Sequence, residues 1–62
     1  MHKRKTHIFT RIRFDYGLSQ SDLGKHLNCS QAHISKIEKF EKLMTKEMKD
    51  KALQVFGAEY GE

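Results

Sequence analysis

SQSDLGKHLNCSQAHISKIE, residues 19–38, reads as two short amphipathic helices meeting at a tight corner. Ser19 and Asp22 fit a capping box, with Asp22 in place of the commoner Glu. Leu18 stands just before the cap, where a hydrophobic staple belongs. Leu23 and Leu27 share one face at helical spacing. Gly24 lies between them, at a cost of about 1 kcal/mol relative to Ala. So small a residue is expected where another helix passes very close. Asn28 tolerates a left-handed backbone and turns the chain. Ser30 then caps the next helix, whose apolar stripe is Ile34 and Ile37.

Upstream, Ile8, Phe9, Ile12 and Tyr16 recur at helical spacing and predict a helix over residues 7–16. Thr6 is its expected cap and Gly17 its left-handed stop. Residues 1–6 have no apolar periodicity and read as a flexible basic arm carrying Lys3, Arg4 and Lys5. Downstream, Met48, Ala52, Val55 and Phe56, with Leu53 beside them, predict a fourth helix over residues 45–56 stopped by Gly57. That spacing argues against strands in the C-terminal half. Residues 58–62 read as a short frayed tail. The expectation is a compact all-α domain of four to five helices over residues 7–57, with a central helix-turn-helix at about 20–40.

A chain of 62 residues fits one domain with a thin core, since a domain of about that size buries only about 60% of its unfolded surface. The net charge of +4 and pI near 9.4 suit a polyanionic partner. Cys29 is the single cysteine, so no disulfide can close within the chain, and a cytoplasmic location is expected. No apolar run approaches the roughly 18 residues of a membrane span.

Gly17-Leu18-Ser19-Gln20, then Asp22-Leu23-Gly24, then the run from Ser30 to Glu38 together resemble the phage Cro/C-repressor family, also called the Xre family. The resemblance covers about residues 9–38 and, more loosely, continues to Phe56. It implies a lambda-repressor-like domain and a sequence-specific transcriptional regulator, a repressor by preference. It also implies an ion pair between Arg13 on the first helix and Glu38 late in the recognition helix, partly buried and fixing how the two dock. The sequence departs from the family at Asn28, which replaces a turn glycine, and at Phe40, where a glycine often ends the recognition helix. Either the third helix runs past Phe40, or Phe40 anchors the following loop in the core.

With Ile34 pointing inward and about 100° per residue, Ile37 stays inside. Ala32, Lys36 and Lys39 fall on the exposed face, with Ser35 at its edge. Helix-turn-helix docking brings the first residues of the second helix to base edges in the major groove. Gln31, Ala32, Ser35 and Lys36 are therefore the base-reading candidates, with His33 behind them. A Gln amide matches adenine N6 and N7, Lys donates to guanine O6 and N7, and an Ala methyl meets a thymine methyl. Gln20 and Ser30, at helix starts, are candidates for phosphate, as are Lys39 and Lys42. Lys3, Arg4 and Lys5 form a possible arm along a groove. The expected partners are operator DNA and a second copy of the chain on a pseudo-palindrome. No cofactor or small-molecule ligand is expected.

Other readings draw less from the residues. His26, Cys29 and His33 have a zinc-like spacing, but a structural site takes four ligands, usually with two Cys, so no metal is expected. The serines read as caps or surface hydroxyls and the acids have helix roles, so no enzyme is expected. Phe14 and Tyr16 either cover the edge of the core or join a subunit interface. Two further functional readings are an antitoxin of a toxin–antitoxin pair and a protein-interaction module that does not bind DNA.

Overall fold

Four α-helices and a closing 3-10 turn are built by residues 6–61, the part of the chain that the computed structural model describes. The helices are α1 (Ile8–Tyr16), α2 (Gln20–Leu27), α3 (Gln31–Glu38) and α4 (Lys46–Phe56), and the turn is Ala58–Gly61. Among the described residues there is no strand, so the domain is all-α. None of the helices is long and apolar enough to cross a membrane.

Local side-chain chemistry starts each helix. Ser19 Oγ accepts from the Asp22 N–H at 3.0 Å, and Asp22 accepts from the Ser19 N–H at 3.2 Å, which completes the capping box. Ser30 and Thr45 accept from His33 N and Met48 N, each at 3.2 Å. Each such cap satisfies a helix-end donor and contributes about 1 kcal/mol. The first helix departs from expectation: Thr6 does not cap it. Helical dihedrals begin at Ile8, which makes His7 the cap, and its Nδ1 accepts from Phe9 N–H.

Left-handed residues end the first two helices. Gly17 (φ 67°) closes α1 and Asn28 (φ 59°) closes α2. Gly24 is buried, but no second helix explains it. A Cβ there would stand 2.5 Å from the Cys29 carbonyl oxygen. The three-residue corner Asn28–Ser30 folds back onto α2, and only glycine leaves room for it.

The core lies where the helices converge. Phe9, Ile12, Leu23, Ile34 and Ile37 are fully buried, joined by Leu27, Met48, Ala52 and Phe56. Burying one such large side chain contributes about 1.5–3 kcal/mol. Val55, counted above in the apolar face of α4, is instead exposed at the edge of that face. Tyr16 covers the core edge: its ring meets Phe56 at 5.0 Å, and its hydroxyl donates to the Phe56 carbonyl at 2.8 Å. Phe14 points to solvent, with the Arg13 guanidinium 5.5 Å from its ring.

The described part of the C-terminal segment, Ala58–Gly61, is not frayed. Tyr60 is buried among the core residues, and its hydroxyl donates to Asp15 Oδ2 at 2.6 Å. Asp15 is the chief reason that the phenol is pushed up to about 12. The aromatic ring supplies the apolar area that a polar segment lacks, so Ala58–Gly61 docks through Tyr60.

Candidate nucleic-acid interface

Everything proposed to read DNA depends on how α3 is held. Glu38, in its last turn, faces α1, where Arg13 Nε donates to Oε2 at 2.7 Å and a second guanidinium nitrogen donates to Oε1 at 2.9 Å. Thr10 Oγ1 adds a third bond at 3.0 Å. The side chains are only 16% and 7% exposed, so the pair is largely withdrawn from water, as the resemblance implied. Burial pushes the Glu38 carboxyl up, but the bonds from Arg13 and Thr10 outweigh it and hold it below the usual range. The bond to Glu38 raises Arg13 in turn. Two parallel N–H donors fix the angle between the helices as well as their contact.

With its one carboxylate turned inward, α3 presents an acid-free outer face. Gln31, Ala32, Lys36 and Lys39 are exposed on it, and Ser35 is half-buried at its edge. Ser30, exposed at the start of α3, uses its oxygen as the cap and keeps a hydroxyl hydrogen to donate. Lys42 is exposed on the α3–α4 loop. Lys3, Arg4 and Lys5 lie outside the described residues.

Two candidates are placed differently from expectation. His33 is half-buried, and its Nε2 is sealed from solvent without a hydrogen-bond partner. It lines a cleft with Cys29, Thr45 and Met48 and so faces α4. One step round the helix from Ala32 was enough to turn it inward. Gln20 is half-buried too, with its amide nitrogen 3.5 Å from Glu38 Oε1. Its side chain leans toward the ion pair.

Phe40 resolves neither way that its sequence position suggested. The helix stops at Glu38, and Phe40 is 57% exposed rather than anchored in the core. Its backbone is left-handed, φ 61°. Phe40 N–H bonds the Ile37 carbonyl at 3.0 Å and Glu41 N–H the Lys36 carbonyl at 2.9 Å, the double closure of a Schellman turn. Phe40 thus takes the glycine's conformation and adds a ring, which lies 5.4 Å from the imidazole of His7.

Sequence reasoning missed His7 and Tyr60. Tyr60 carried no local signal, since its partner Asp15 is remote in the chain. His7 caps Phe9 two residues on, but histidine is not among the preferred capping residues, and its other partner, Phe40, is remote. A cleft of about 800 Å³ opens beside His7, Thr10, Glu38 and Phe40, at the opposite end of α3 from Gln31. Among the described residues no three His, Cys, Asp or Glu side chains gather as metal ligands. Comparison with protein-family models, with curated proteins and with solved structures gives no match to the chain.

Proposed function

We propose that this protein is a sequence-specific, double-stranded DNA-binding regulator of the Cro/C-repressor type, acting as a repressor by occupying promoter DNA. The observation that carries the reading is the outer face of α3. It is polar, cationic and free of carboxylates because Glu38 is bonded to Arg13. In this reading α2, the Asn28–Ser30 corner and α3 form the helix-turn-helix. Gln31, Ala32, Ser35 and Lys36 meet base edges, each good bidentate contact giving about 1–3 kcal/mol of discrimination. Ser30, Lys39, Lys42 and the first turn of α2 at Gln20 meet phosphates. Two copies would read half-sites about 34 Å apart.

The test is binding to duplexes selected from a randomised pool, measured by fluorescence anisotropy against unselected DNA. Affinity is expected to fall by about 0.9 log units per phosphate contact for each log unit of salt. The double variant Gln31→Ala, Lys36→Ala keeps the fold but loses preference for the selected duplex. A flat salt response, or preference that survives both changes, overturns the reading. Leu43 and Phe40, 91% and 57% exposed on the α3–α4 loop, favour a second reading as a protein-contact module. Partner capture without any DNA shift would support it.

A further inference from the structure

We propose that His7 is a proton-sensitive latch: its neutral imidazole caps α1 and seats against Phe40 beyond the end of α3, and protonation releases the first turn of α1. His7 Nδ1 accepts from the Phe9 N–H at 3.0 Å. The imidazole also meets the Phe9 ring edge-on at 4.8 Å and the Phe40 ring at 5.4 Å. Its neighbour Phe9 is fully buried. One ring therefore joins the start of α1 to the turn that closes α3.

The chemistry of this cap differs from that of the other three. Ser19, Ser30 and Thr45 cap with hydroxyls, which do not titrate near neutrality. An imidazole accepts at Nδ1 only when neutral and protonated at Nε2; the doubly protonated ring has donors alone. Protonation thus sets a donor against the Phe9 N–H. It also places a cation at the positive end of the helix dipole.

Other charges near the ring do not reverse this. Glu38 attracts an imidazolium, but its oxygens are already engaged by Arg13 and Thr10. Lys39 and Glu41, which line the same cleft, carry opposite charges. Burial holds His7 below its ordinary value of 6.5, and Glu38 pulls more weakly the other way. The sign follows from linkage. The latch contributes fully above 6.5 and is lost as pH falls through the lower folded value.

Thermal unfolding at pH 8 and pH 5 tests this on the wild type, His7→Asn and His7→Ala. Asn caps well and does not titrate. Between pH 8 and pH 5 the wild type is expected to lose about 4–8 °C more in Tm than His7→Asn, the shift that one lost cap gives in a domain of this size. His7→Ala is expected to carry a similar deficit already at pH 8. Its further fall to pH 5 should match that of His7→Asn. His2, His26 and His33 are present in all three proteins, so only differences between them are read. In the wild type, ¹⁵N spectra should show the Nε2–H tautomer of His7 at pH 8 and a Phe9 amide that titrates with it. A pH response unchanged in His7→Asn, or the Nδ1–H tautomer at pH 8, overturns the proposal.

Discussion

The corner before α3 and the turn after it use the same backbone conformation with opposite residues. Asn28 has φ 59° and Phe40 has φ 61°. Asn is one of the few side chains that visit this region routinely. Phe is not, and a bulky residue there is held by its surroundings rather than by preference. The first corner is thus encoded locally, by Asn28, Ser30 and the missing side chain of Gly24. The second also closes with local Schellman bonds, but the partner that meets its bulky residue is remote, the His7 ring. One end of α3 is set by its own neighbours in sequence, and the other by α1.

The largest effect is expected at the locally encoded corner. In Gly24→Ala the new Cβ meets a backbone oxygen at 2.5 Å, and backbone yields less readily than a flexible side chain. Overpacking costs about 1–3 kcal/mol, against the roughly 1 kcal/mol of helix propensity that Ala gains over Gly. A net loss is expected, seen as a lower Tm in thermal unfolding. A higher Tm would mean that the corner is not pressed on α2. Asn28→Ala comes next, with a loss of about 1 kcal/mol for the left-handed backbone. Asn28→Gly should melt within a degree or two of the wild type, because glycine adopts that conformation without a Cβ penalty.

These two sites also mark what was legible in the sequence. Caps and left-handed stops involve residues no more than about four apart, so Ser19, Asp22, Asn28, Ser30 and Gly57 could be read directly. Helical periodicity gave the core face and the outer face of α3, including Ala32 and Lys36. It did not decide His33, which stands about 100° from Ile34, on the boundary between the two faces. The Arg13–Glu38 pair came from the family resemblance and not from spacing, since 25 residues separate its members. Tyr60 was hidden for the same reason, its partner Asp15 lying 45 residues away. Gly24 was rightly singled out as a close approach, but its neighbour is the chain itself. Sequence distance, more than residue type, separates what could be read from what could not.

The smallest effect isolates the remotely encoded turn. At Phe40 two terms oppose each other. The left-handed backbone costs a residue with a Cβ about 1–2 kcal/mol, and the aromatic contact with His7 returns about 0.5–1.5 kcal/mol. Phe40→Gly removes both, so its Tm at pH 8 should lie close to that of the wild type. Phe40→Ala keeps the backbone cost and loses the ring, so it should fall by about 1 kcal/mol. The gap between the Gly and Ala variants reads the strain, and the gap between Ala and wild type reads the ring. If Ala melts with the wild type, the ring contributes nothing, and the turn after α3 is set by its backbone bonds alone. The contrast between the two ends of α3 would then reduce to a difference in tolerated strain.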